Sequence, residues 1–247
     1  VIVLVLTFLV LLVIGVPVAW CIAISSMFTL MVAMPISAAT TTVSQRIATG
    51  LDSFALLAIP FFILSGQIMS KGGIANRLIS FAKTLVGFLP GGLALINIVS
   101  AMLMGAIAGS AMASASAMGT ILGPEMEKEG YSKEFGAAVN ITSSTTGLVI
   151  PPSNTLIVYS LASGGVSIAA LFLAGYIPGI LTGLLMMIVA MIWSKKNNYP
   201  VGKRSSLKEI FVKFIDAFPS LLLLVIVIGG IIGGIFTATE ASAVAVL

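Results

Sequence analysis

The sequence predicts an all-α polytopic membrane protein, and three observations carry the prediction. Of its 247 residues, 59% are hydrophobic and only 8% are charged, with a mean hydropathy of +1.19, against roughly 25% charged residues in a soluble domain. The few charges are gathered so that long stretches carry none: Val1 to Gln45, Ser53 to Ser70, Thr84 to Pro124, Phe135 to Ser194 and Ala217 to Thr239. A helix crosses a bilayer core of roughly 30 Å with about 20 apolar residues, so several of these runs exceed one crossing. The runs are also continuous and not alternating, which argues against the strands of an outer-membrane barrel.

Composition excludes several kinds of chemistry. Cys21 is the single cysteine and histidine is absent, so intrachain disulfides, cysteine metal clusters, zinc sites and histidine proton relays are unavailable. No GxxxxGK[ST] motif occurs, so the chain does not hydrolyse ATP through a P-loop. If it moves a solute uphill, the energy comes from an ion gradient or another subunit.

Taken in order, the first run is interrupted at Gly15-Val16-Pro17, and Ala33-Met34-Pro35 precedes a polar, threonine-rich stretch. As one helix, Val1 to Met34 would measure about 51 Å at 1.5 Å per residue; it is either two segments or one long, tilted, kinked helix. No basic region precedes it, the chain begins at Val1, and it stops inside the apolar stretch Ala241 to Leu247. The expectation is a fragment of a longer protein whose first run is a retained membrane segment and not a cleaved signal. Ile74 to Phe88 reads as an amphipathic helix with Arg77 and Lys83 on its wet side, suited to lying along the interface.

Orientation follows from the basic residues. Lys195, Lys196, Lys203, Arg204, Lys208 and Lys213 outnumber Glu209 and Asp216 in one loop, which the positive-inside rule places in the cytoplasm. A patch for anionic lipid headgroups would sit on the same side. Counting back one span, Ile168 to Trp193, puts Ser163 to Ser167 outside. A second, Phe135 to Ala162, puts Glu125 to Glu134 inside. Whether Leu93 to Leu122 makes two spans or a re-entrant hairpin, its other end returns inside, where Lys71, Arg77 and Lys83 stand without a nearby acid. Both basic clusters therefore support one topology.

Two irregular segments carry the functional reading. Twelve of the fifteen residues from Gly105 to Gly119 are Gly, Ala or Ser. Close helix packing explains such a stripe, and Gly105 with Gly109 forms a GxxxG. The alternative is that Gly109-Ser110 is the tip of a re-entrant hairpin, a break tolerated at membrane depth only where it is buried in protein or lines a wet cavity.

The second segment, Thr142 to Asn154, contains Pro151-Pro152 in the middle of a 60-residue uncharged run. Successive prolines remove two amide donors and disfavour helix before them, so the helix breaks here. A simple proline kink is the plainer account, but five hydroxyl residues before the break and Ser153-Asn154 after it exceed what a kink needs. Hydroxyls, an amide and freed carbonyls suit a hard cation such as Na⁺. Half-helix N-termini pointing inward would favour an anionic substrate, with Ser144, Ser153 and Asn154 as candidate substrate contacts. Asp52 and Glu240 are the acids outside the charged loops, the first readable as an interfacial cap and the second as a membrane carboxylate.

At these residues the chain resembles the large membrane subunit of tripartite ATP-independent periplasmic (TRAP) transporters. The resemblance runs through Leu56 to Met69, Gly72 to Leu78, Gly91 to Asn97, Ala108 to Gly119, Gly147 to Ser153, Leu171 to Leu181 and Gly234 to Val246. It implies the first inverted repeat of an elevator-type transporter with a re-entrant helical hairpin and a broken helix. The implied layout is scaffold helices and a polar connection over 1–54 and half of a transport domain over 55–193. Within that half the hairpin falls at about 93–122 and the broken helix at about 135–162. A basic cytoplasmic loop follows over 194–216, and a second repeat begins over 217–247.

The resemblance also implies sodium-coupled uptake of an organic acid, such as a C4-dicarboxylate, sugar acid or sialic acid, across the bacterial inner membrane. Its implied partners are a small membrane subunit and a periplasmic substrate-binding protein, besides membrane lipid; no nucleic acid and no cofactor other than the coupling ion are expected. The positions matching the family's sodium site are Ala108, Gly109, Ser110, Gly147, Ile150 and Pro152. The sequence departs from the family pattern with Ala108 for the more usual serine, Ser114 for a frequent aspartate and Ala238 for a proline. Ala108 leaves only a carbonyl to offer there.

Other classes fit less well. An intramembrane enzyme with Ser110 or Ser153 as nucleophile lacks a base, because there is no histidine and no lysine in the same stretches. A structural scaffold would need the glycines for packing alone. A related two-hairpin carboxylate symporter that works without a binding protein is the nearest alternative transporter.

Overall fold

The computed structural model describes residues 1–247. The chain is helical throughout and divides into two compact units, Val1–Ser53 and Phe54–Leu247.

The first unit holds α1 (Ile2–Val13), α2 (Val18–Ala33) and α3 (Ile36–Leu51). The sequence left the first run as two segments or one kinked helix; it is two. Gly15 takes φ +87° between them, a region that glycine enters without a Cβ penalty. Pro17 and Pro35 each stand just before a helix, where a missing N–H leaves no bond unmade. The threonine-rich stretch expected as a polar connection is α3. Its hydroxyls donate back along the helix, Thr41 to Ser37 O at 2.8 Å and Thr42 to Ala38 O at 2.8 Å, so the polarity is satisfied inside the turn that produces it. Asp52 ends this helix, exposed.

In the second unit a 3₁₀ turn over Phe54–Leu57 leads into α4 (Ala58–Lys71), followed by α5 (Ile74–Val86), α6 (Gly92–Ala108), α7 (Ala111–Lys128) and α8 (Lys133–Ser144). A second 3₁₀ turn, Thr145–Leu148, precedes α9 (Asn154–Ala162), α10 (Ile168–Lys196), α11 (Leu207–Ile232) and α12 (Ala238–Val246). Three helical segments are long and apolar enough to cross a membrane: Phe54–Lys71, Ile168–Lys196 and Leu207–Ile232. α10 exposes Leu185, Ile188, Val189 and Ile192 along its length. Such a surface is a liability in water and the expected face toward lipid, so the chain is a multi-pass membrane protein.

α6 is the axis of this unit. Fourteen of its 17 residues are buried, and α4, α5, α7, α8 and α10 all pack on it. Leu95, Ile98 and Met104 of α6 form one apolar cluster with Met118 and Leu122 of α7. A second cluster joins Phe62 of α4, Ile157 of α9, Phe172 of α10, Val227 of α11 and Ala241 of α12. Because lipid tails are as apolar as these side chains, close packing supplies the association here.

Polar clasps add to it. Ser65 donates to Ala245 O at 2.7 Å and Thr239 to Phe54 O at 2.9 Å. Glu240 is exposed and closes a capping box, its Oε2 accepting from the Thr237 N–H at 2.8 Å. Its carboxylate is thereby committed to a helix start.

Candidate functional site at two helix breaks

The first break is short. α6 ends where Gly109 takes φ +59° and donates its N–H to Gly105 O at 2.8 Å, the usual left-handed helix stop. Ser110 is extended, and its hydroxyl accepts from the Ala113 N–H at 3.4 Å to cap α7. The two helices then run back along each other, so Gly109-Ser110 is the tip of a helical pair.

The second break is longer. After α8 the chain tightens into the 3₁₀ turn, passes through Val149 and Ile150, and reaches Pro151-Pro152, joined by a cis bond. Ser153 closes it from both sides. Its hydroxyl donates to Leu148 O at 2.6 Å and accepts from the Leu156 N–H at 3.3 Å, capping α9. The ends of α6 and α8 and the starts of α7 and α9 therefore fall in two stretches without a charged side chain, Thr84 to Pro124 and Phe135 to Ser194.

The structure brings the two breaks against each other. The Asn154 N–H donates to Gly109 O at 3.4 Å. A Cβ placed on Gly109 would lie 2.9 Å from Pro152 O, and one placed on Gly105 would lie 2.5 Å from the Gly147 Cα. Neither contact survives a side chain. Ala108, on the same turn, faces α4, where a Cβ on Gly66 would approach its own Cβ to 2.8 Å.

Of the residues singled out from the sequence, Ala108, Gly109, Ser110, Gly147, Pro152, Ser153 and Asn154 share this crossing. Gly109, Gly147, Pro152 and Ser153 are buried, whereas Ser110 and Asn154 are half-buried. Ile150 turns toward α10, where a Cβ on Gly179 would lie 2.5 Å from its Cγ1. The Ser144 hydroxyl donates to Asn140 O at 2.7 Å, one turn back in α8.

What the crossing offers chemically is neutral oxygen. The carbonyls of Ala108 and Pro152 accept no backbone hydrogen bond outside the helices, and neither does that of Ile150 on the second break. The Asn154 Oδ1 is buried with no partner. An orphaned acceptor of this kind is expensive unless something donates to it or coordinates it. No cluster of His, Cys, Asp or Glu suited to a metal ion occurs in the chain, so a cation here would be held by carbonyl, hydroxyl and amide oxygens. The same place collects the N-terminal ends of α7 and α9, whose amides and dipoles favour an anion.

Several participants escaped the sequence reading. Gly175 and Gly179 of α10 receive the second break, with a Cβ on Gly175 falling 2.5 Å from Val149 O. Asn97 accepts from the Ser143 hydroxyl at 3.2 Å, and Asn140 donates to Ala115 O at 2.9 Å while its Oδ1 stays unpartnered. The signal for Asn97 was present: an amide in the middle of an uncharged 41-residue run.

Residues 5–247 match the family described as the DctM component of the tripartite ATP-independent periplasmic transporter. The chain belongs to this family. An uncharacterized Salmonella typhimurium protein, YgiK, is 56% identical over 98% of the chain and 55% of its own length. The C4-dicarboxylate TRAP transporter large permease protein DctM of Vibrio cholerae is 42% identical over 94% of the chain and 51% of its own length. The sialic acid TRAP transporter large permease protein SiaM of the same organism is 40% identical, over 83% and 48%. The chain spans about half the length of these relatives. The DctM-family resemblance read from the motifs thus holds across nearly the whole chain.

Proposed function

We propose that this DctM-family chain forms half of the translocation unit of a secondary transporter that takes up an organic acid with Na⁺. The observation that carries the proposal is the crossing of the two breaks, where an orphaned amide oxygen and unpaired carbonyls stand beside two helix N-termini. Carbonyls of Ala108, Ile150 and Pro152, with Ser110 and Asn154, would supply oxygens to the ion. The starts of α7 and α9 would face a carboxylate, with Ser153 holding the second break in shape.

In this reading α6 and α7 form a re-entrant hairpin and α8 and α9 a broken helix, which move as one piece against a scaffold that includes residues 1–54. The basic loop 194–216 lies in the cytoplasm and the protein in the bacterial inner membrane. The names of two relatives, for C4-dicarboxylate and for sialic acid, support an organic acid as cargo. The family description supports a periplasmic binding protein that delivers it and a small membrane subunit. The rest of the site would come from the other half of such a permease.

The test is uptake by the complete transporter reconstituted with its partners under either a Na⁺ or an H⁺ gradient. Uptake driven by Na⁺ alone is expected; uptake indifferent to Na⁺ would overturn the coupling. Asn154→Ala should lower uptake about tenfold, the scale of one lost ligand or charge-assisted bond, while leaving the thermal midpoint nearly unchanged. Unaltered uptake by this variant would remove Asn154 from the site.

A further inference from the structure

Away from the breaks, α5, α6 and the α10–α11 loop enclose a cavity of about 490 Å³. Lys83, Lys203, Arg204 and Lys213 line it, against the carboxylates Glu129 and Glu209. Lys83 is paired with Glu125 at 3.6 Å and Lys213 with Asp216 at 3.6 Å. Lys203 and Arg204 make no ion pair. Arg204 is instead fixed over the Phe88 ring at 5.0 Å, which sets its guanidinium at the cavity without neutralising it.

The walls are built and not merely adjacent. The Gly202 N–H donates to Gly87 O at 3.2 Å, and Pro90 bridges Val201, so the loop carrying Lys203 and Arg204 is stitched to the end of α5. Ser206 caps α11 beside the cavity, accepting from the Glu209 N–H at 3.2 Å. The first turn of this 26-residue helix thus adds its positive end.

The depth of the cavity points to the kind of ligand. Asp216 is the last charge on α11, and Ala217 to Thr239 carries none, so the cavity, which Lys213 lines, ends about one turn before the apolar span. Leu207, next to the capping Ser206 in the first turn of α11, exposes 86% of its surface. Cationic pocket, exposed apolar side chain and start of a membrane span together describe the headgroup layer.

We infer that this cavity binds the phosphate of an anionic phospholipid headgroup, held chiefly by Lys203 and Arg204. The inference is independent of the transport reading, because it concerns a different face and its test does not use uptake.

The experiment measures lipid retained by the complete transporter in neutral detergent, by native mass spectrometry, after exchange into phosphatidylglycerol or phosphatidylcholine. Retention of phosphatidylglycerol over phosphatidylcholine is expected. Lys203→Gln with Arg204→Gln should lower it about tenfold or more. Lys195→Gln with Lys196→Gln removes the same charge from the last turn of α10, outside the cavity, and should change retention less than about twofold. Equal losses from the two pairs would mean diffuse attraction and overturn the site. Displacement of the lipid by millimolar glycerol phosphate would overturn the lipid as its source in favour of a soluble phosphate.

Discussion

The two helix breaks reach the same place by opposite means. The first is a single glycine step: Gly109 adopts a left-handed conformation, and the helices on either side resume at once. The second spreads over nine residues, from the 3₁₀ turn through two prolines to Ser153. One break depends on the absence of a single side chain, whereas the other is shared among two prolines and the Ser153 clamp. A substitution that adds atoms should therefore damage the first most, and a substitution that restores a donor should barely disturb the second.

The largest expected effect lies where the breaks touch. Gly105→Leu would drive a side chain into the Gly147 backbone, and overpacking against main chain should exceed about 3 kcal/mol. Loss of the monodisperse peak in size-exclusion chromatography reads this out; a normal peak and thermal midpoint would break the claim of backbone contact.

Next in size is the contrast between the two breaks themselves. Gly109→Val places a β-branched residue at φ +59° and against Pro152 O, for about 2 kcal/mol or more. Pro151→Ala should stay within about 1 kcal/mol, because the Ser153 clamp remains. Thermal unfolding in detergent ranks the pair, and the reverse order would discard the distinction.

Ser153→Ala removes that clamp, a bond to Leu148 O and the α9 cap, and should lower stability by about 1–2 kcal/mol. Ser110→Ala removes only a cap and should fall below about 1 kcal/mol. Its sharper readout is the Na⁺ concentration giving half-maximal uptake, which should rise if the hydroxyl meets the ion and would stay fixed if Ser110 is a cap alone.

These breaks were legible because glycine and proline act locally. Gly15-Val16-Pro17, Gly109-Ser110 and Pro151-Pro152 each mark a discontinuity within a residue or two of where the helices stop. The amphipathic segment from Ile74 was legible for the same reason, its charges and apolar residues following one helical period. What stayed hidden was non-local or depended on satisfaction within the backbone. α3 read as a connection because threonine is polar, although its hydroxyls bond to carbonyls one turn earlier. Glu240 read as a membrane carboxylate, but its partner three residues back makes it a cap. The α10 glycines lay in a run where every residue suits a membrane, and only the approach of Val149 and Ile150 explains their size. The Asn97–Ser143 bond joins residues 46 apart, a distance no local pattern spans.

The uncharged character of both breaks has an electrical consequence. A unit charge crossing a potential of 100 mV exchanges roughly 2.3 kcal/mol with the field. From Thr84 to Pro124 and from Phe135 to Ser194 there is no charged side chain on which that field can pull. Empty, these stretches present no formal charge to the membrane voltage, so any unit charge crossing the membrane at the breaks must be carried by whatever is bound.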